Sequence, residues 1–140
     1  MEYKQFGNKY IIRMDKGEEV VQTLKEFCQS HKITLGWVKG IGAVNKVTVG
    51  LFETKTKKYH STELTGDYEI TSLLGNISTM KGETYLHLHI NLSDDEYKTY
   101  GGHLNLAIVS ATGEFMVEAV EGNVDRAFSE EIGLNLYKFD

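Results

Sequence analysis

Thr84-Tyr85-Leu86-His87-Leu88-His89-Ile90-Asn91-Leu92 alternates residue by residue between aliphatic and polar or aromatic side chains. In a strand, successive side chains point to opposite faces, so Leu86, Leu88, Ile90 and Leu92 share one side and Tyr85, His87, His89 and Asn91 the other. The two histidines then stand about 7 Å apart along the strand. Imidazoles at that spacing converge on one ion with modest side-chain tilt. A second segment, Gly101-Gly102-His103-Leu104-Asn105-Leu106-Ala107-Ile108, repeats the pattern, with Leu104, Leu106 and Ile108 opposite His103 and Asn105. Paired with His103 across from His89 or Asn91, the two strands gather three imidazoles on one patch. Three nitrogen ligands with an open fourth position is the arrangement of catalytic zinc sites. The competing reading is a polar sheet face or a subunit interface, where the histidines hydrogen-bond to neighbours. Gly101-Gly102 lets the backbone pass close to another group at the strand entrance. Glu69, Glu114 and Glu118, on other strands, are candidates for a fourth ligand or a base, with a solvent-facing role as the simpler alternative.

Outward from this pair, the chain from Lys57 reads almost wholly as strands: Lys57–Leu64, Tyr68–Thr79, Thr84–Leu92, His103–Ala111 and Glu114–Glu121. Thr65-Gly66-Asp67, Lys81-Gly82 and Thr112-Gly113 supply the turns. A short helix is predicted over Val124–Glu130, then Gly133 and a last strand, Leu134–Phe139. Toward the amino terminus, Lys9–Met14 reads as a strand. Asp15 with Glu18 three residues on matches a capping box. Val20, Val21, Leu24, Phe27, Cys28 and His31 follow at helical spacing, predicting one amphipathic helix of roughly four turns, with His31 set against its carboxyl-terminal dipole. Leu35–Phe52 reads as two strands around a glycine passage, Gly40-Ile41-Gly42-Ala43. That passage is no dinucleotide fingerprint, since Asn45 stands where the third glycine belongs and no helix follows. A bulge or close backbone approach accounts for it. Short connections predict a largely antiparallel sheet, hence an α+β domain with one main helix.

Composition sets the remaining bounds. The 140 residues hold no proline, 41% hydrophobic and 25% charged residues, and a formal net charge of −5, with a pI near 5.5. One domain over residues 1–140 is expected. The acidic balance works against non-specific attraction to nucleic acid or anionic membranes, and Lys55, Lys57 and Lys58 read as a solvated loop or strand end. Cys28 is the sole cysteine, which excludes an intrachain disulfide and a cysteine metal cluster, and it reads as a buried hydrophobe. No apolar run near Met1–Asn8 resembles a signal peptide, and no stretch has transmembrane length. A cytoplasmic location is therefore expected, and the Asn-x-Ser triplets at Asn76 and Asn91 carry no glycosylation meaning. Ser72 and Ser110 lack a nucleophile elbow, no P-loop, Cys-x-x-Cys or His-Glu-x-x-His occurs, and His60 is assigned no role.

The order of several stretches resembles the PPC (plant and prokaryote conserved) domain family, specifically its stand-alone prokaryotic members. These are Gly36-Trp37-Val38-Lys39-Gly40-Ile41-Gly42-Ala43-Val44, Gly66-Asp67-Tyr68-Glu69-Ile70, Leu74-Gly75-Asn76-Ile77-Ser78, His87-Leu88-His89, Gly101-Gly102-His103-Leu104 and Glu130-Glu131-Ile132-Gly133-Leu134. The resemblance implies a strongly bent, mainly antiparallel sheet with few helices, assembled as a homotrimer. It also implies a bound metal, zinc or a similar ion, on His87, His89 and His103 near the subunit boundary. Plant members carry AT-hooks, whereas this chain has no Arg-Gly-Arg-Pro, so direct nucleic-acid binding is not expected. The fold is similar to that of acetolactate decarboxylase, which likewise uses a His-x-His pair and a later histidine. Three functional readings follow: a metal-binding homotrimer of undetermined role, a metalloenzyme for a small oxo-acid or carbonyl substrate bound near the metal, and a DNA-associated regulatory or assembly module without a hook.

Overall fold

The computed structural model describes residues 1–139. In chain order the elements are β1 (Glu2–Phe6), β2 (Lys9–Asp15), α1 (Val20–Ser30), β3 (Gly36–Glu53), β4 (Lys58–Met80), β5 (Glu83–Ser93), β6 (Thr99–Ala119), β7 (Asp125–Ser129) and β8 (Leu134–Lys138). The first six strands form one sheet in the order β1-β2-β6-β3-β4-β5, with every pairing antiparallel. The sheet bends until β5 meets the opening residues of β6, so β3, β4, β5 and β6 close on themselves. This is the expected α+β architecture: a bent, antiparallel sheet with one helix. No helix among the described residues is long and apolar enough to cross a membrane.

The glycine passages act differently from the turns expected of them. Gly40–Ala43, Thr65–Asp67 and Thr112-Gly113 all lie inside continuous strands, so β3, β4 and β6 are each one long strand where two were expected. Flanking residues on both sides keep their ladders through these points, and the irregularity is absorbed as bulges between Gly40 and Gly42 and between Val44 and Lys46. Such bulges bend a strand without ending it. Gly42 sits at φ +151, and a Cβ there would stand 2.4 Å from the Thr112 carbonyl oxygen and 2.8 Å from the Gly113 Cα. Gly42→Ala is therefore expected to destabilise the fold by roughly 2–5 kcal/mol through strain and overpacking. A lowered urea midpoint would show it, and an unchanged midpoint would contradict it.

Two further expectations need correction. The helix starts at Val20, after Glu19, whose carboxylate accepts from Val21 N at 3.0 Å and Gln22 N at 2.6 Å. Glu18 still accepts from Asp15 N at 2.6 Å, but Gly17, at φ +92, turns the chain before the helix begins. Glu19 is fixed as the cap because it also bridges to β6, taking Ala107 N at 3.0 Å. The helix thus has three turns instead of four, ending at the His31 cap. Val124–Glu130 is no helix. Most of it forms β7, paired with β8 from Asp125↔Lys138 to Ser129↔Leu134. The pairing buries Arg126 against β4, a tertiary contact that overrides local preference. The short strand β1 was not anticipated.

Helix α1 lies against the sheet. Val20, Leu24, Phe27 and Cys28 are buried with Ile12 and Met14 of β2, Val38, Val44 and Val47 of β3, and Leu88 and Leu92 of β5. The aliphatic side of β5 therefore faces the core, and its histidines are left on the other face. Burial pushes the Cys28 thiol up to about 12, leaving it unreactive at neutral pH.

Candidate metal centre

Strand parity and register together assemble the site. His87 and His89 project from β5 on the face opposite buried Leu88 and Ile90. On β6, His103 stands directly across from His89. One nitrogen of each imidazole lies within 4.8 Å of the other two, and His87 Nε2 and His89 Nε2 are 3.2 Å apart. Nitrogens bound to one tetrahedral zinc at 2.0–2.1 Å lie about 3.3 Å from each other. The His87–His89 pair matches that spacing, and three imidazole nitrogens within 4.8 Å of one another suit a small divalent ion. Of the alternatives left open by the sequence, His89 rather than Asn91 faces His103, because Gly101 pairs with Asn91. Gly102 lies tight against β3: a Cβ there would meet the Gly50 carbonyl oxygen at 2.6 Å. The close approach expected of the glycine pair is a strand-to-strand contact beside His103.

The electrostatics suit ligation. His87 and His103 are half-buried, and His89 is exposed. Burial, then the neighbouring His103, His89 and Arg126, lowers the His87 pKa from 6.5 to about 4. Burial and His89 lower that of His103. Metal binding needs the neutral ring, so at pH 7 the proton offers His87 little competition. Tyr59 packs edge-on to His103 at 6.1 Å and donates to Asn105 Oδ1 at 2.5 Å, bracing that side of the patch.

The other candidates lie elsewhere. Among the described residues no carboxylate joins the trio. Glu69 and Glu114 border a separate concavity with Ile41 and Thr71, and Glu118 faces Lys9 at 3.7 Å. His60 pairs with Glu53 at 3.2 Å, while His31 stacks on Phe27 at 4.0 Å between ring centroids.

One residue beside the trio was missed. The β7–β8 hairpin walls a cavity of about 660 Å³ that is shared by the three histidines and Arg126. The guanidinium lies over the rings of Tyr85 at 4.7 Å and Tyr137 at 4.3 Å. It donates to Ser78 Oγ, the Asn135 carbonyl and Asn76 Oδ1 at 2.8, 2.9 and 2.8 Å. No spacing in the sequence announces this residue, since its partners come from β4, β5 and β8.

A bent antiparallel sheet carrying a three-imidazole patch defines a small domain with one candidate metal centre. The profile of the Plants and Prokaryotes Conserved (PCC) domain matches residues 1–121, and the chain belongs to that family. Its structure resembles that of a Bacteroides thetaiotaomicron chain described as a "putative dna binding protein", 40% identical, with a TM-score of 0.96 and coverage of 99% and 96% of the two chains. A plant- and prokaryote-conserved protein of Pyrococcus horikoshii is 31% identical, with a TM-score of 0.86 and coverage of 99% and 95%. A metal-containing protein of Archaeoglobus fulgidus is 31% identical, with a TM-score of 0.88 and coverage of 99% of each chain. Among curated proteins, the bifunctional protein GlmU of Synechococcus sp. (strain JA-3-3Ab) is 28% identical over 96 residues, 68% of this chain. The match spans 14% of the length of GlmU.

Proposed function

We propose that this chain is a cytoplasmic, homotrimeric metal-binding domain spanning residues 1–140, holding zinc or a similar divalent ion on His87, His89 and His103. The observation that carries the reading is the convergence of three imidazole nitrogens within 4.8 Å. An all-nitrogen donor set suits zinc among the common divalent ions. That the Archaeoglobus relative is described as metal-containing supports the reading, and a buried free thiol is compatible with a reducing compartment. The test is metal analysis of protein purified without a His-tag or added metal. About one zinc per chain is expected, and a content far below that overturns the reading.

The outer sheet face supports a trimer. A single cross-strand row runs Ile11–Met116–Lys39–Leu74–His89–His103. Trp37, Ile41 and Leu74 are all more than half exposed around it. Apolar surface of this kind marks a contact face, and its row ends at the metal ligands, consistent with a centre near the subunit boundary. Light scattering is expected to give three times the 15.8 kDa chain mass. Trp37→Lys is expected to dissociate the assembly while the monomer stays folded, because Trp37 is exposed within the chain. A monomeric wild type would refute this part.

A second reading, a metalloenzyme acting on a small oxo-acid or carbonyl compound, is favoured by the cavity that opens onto the trio. A metal with three protein ligands keeps a position for a substrate oxygen or water. Turnover of small oxo-acids or esters, lost when the three histidines are replaced, would establish it. A DNA-associated role draws on the description of the Bacteroides relative, but a net charge of −5 opposes binding to a polyanion.

A further inference from the structure

Arg126 is 7% exposed, and three of its five N–H groups donate to neutral acceptors, leaving two. Among the described residues no carboxylate pairs with it. A guanidinium stays charged when buried, and buried charges ordinarily sit against a counterion. Tyrosine faces and amide oxygens offset part of the lost hydration but leave the net charge in place. Among the described residues that line the cavity Arg126 shares with the three histidines, none is acidic. The rest of its lining includes the apolar side chains of Leu51, Phe52, Leu134 and Leu136, contributed by β3 and β8, beside Tyr59, Asn76 and Asn135. At about 660 Å³ it falls within the size range of small-molecule sites.

We propose that this cavity binds a monocarboxylate with an apolar body. The carboxylate is the missing counterion of Arg126, and the hydrocarbon lies on Leu51, Leu134 and Leu136. The two free N–H groups suit the two oxygens of a carboxylate. The large apolar wall speaks for a hydrocarbon tail over a compact, highly hydrated anion. The inference rests on the metal reading for the second positive charge that faces the ligand, and on Arg126 alone for the first.

The experiment is calorimetric titration of the zinc-loaded full chain with 3-phenylpropanoate, 3-phenylpropanamide and acetate, with metal content measured on the same sample. The acid is expected to bind at least about tenfold more tightly than the amide, which lacks the charge, and than acetate, which lacks the tail. Leu51→Glu, at an exposed rim position, is expected to weaken the acid about tenfold without changing metal content. Arg126→Gln, checked for folding by circular dichroism, is expected to abolish the preference for acid over amide. Equal binding of acid and amide, or no binding of either to folded protein, overturns the proposal. If the chain retains no zinc, the metal reading fails separately. The same titration on metal-free protein then decides this one: an acid preference that needs Arg126 upholds it, and its absence overturns it.

Discussion

Replacing His87, His89 and His103 together with alanine is expected to abolish zinc retention while the far-ultraviolet dichroism of the sheet stays unchanged. The three rings stand on the face away from the aliphatic core, so their removal costs little packing. Structural zinc in small peptides is worth about 10–16 kcal/mol over four ligands, or roughly 3 kcal/mol per ligand, so His89→Ala alone should weaken binding about a hundredfold. An unperturbed imidazole protonates near 6.5, but His87 is held at about 4, so proton competition at this ligand should set in only well below pH 6.5. In metal-free protein the same shift makes stability depend on pH. Between 6.5 and 4 the unfolded chain binds a proton at His87 that the folded chain does not, so stability falls as pH drops through that window and levels off below it. Urea midpoints at about pH 7 and pH 4.5 measure the slope; equal midpoints would contradict the assignment.

Phe27→Ala is expected to do the opposite, weakening the fold and sparing the ligands. Phe27 is 2% exposed at the centre of an aromatic cluster. It stacks on His31 at 4.0 Å and meets Tyr3 and Tyr10 edge-on at 5.1 and 5.3 Å. Truncation removes the ring and leaves a cavity that α1 and β1 cannot both close, at a cost of about 3–5 kcal/mol. For a chain of this length that lowers the melting temperature by roughly 10–17 °C. Below the transition, zinc content per chain should be unchanged, because no metal ligand touches Phe27. A loss of less than about 1 kcal/mol in scanning calorimetry would show that α1 contributes far less than its burial suggests.

Features legible in the sequence have local causes, and those that were not legible have non-local ones. Alternation around His87 is a property of nine consecutive residues, and it placed the histidines opposite the core without knowledge of any neighbour. The helix was legible for the same reason, since Val20, Leu24, Phe27 and Cys28 recur at its period. Its start was misplaced because Asp15 and Glu18 do form half of a capping box, yet the bridge of Glu19 to β6 decides where the helix begins. The expected turns at Gly66 and Gly113 failed for a related reason. A glycine can end a strand or bend it, and ladders on both sides of β4 and β6 select bending.

The sequence by itself determined the strand character of Thr84–Leu92, an amphipathic helix through Val20, Leu24, Phe27 and Cys28, the core-facing residues of those two segments and the polar side on which all three histidines lie. Each depends on periodicity within one segment. Tertiary structure alone decided that His103 stands opposite His89, that β3, β4 and β6 run unbroken through their glycines, and that Arg126 closes the far wall of the same cavity. These depend on register and on contacts between segments tens of residues apart, where free energy is set by pairing and burial instead of local pattern.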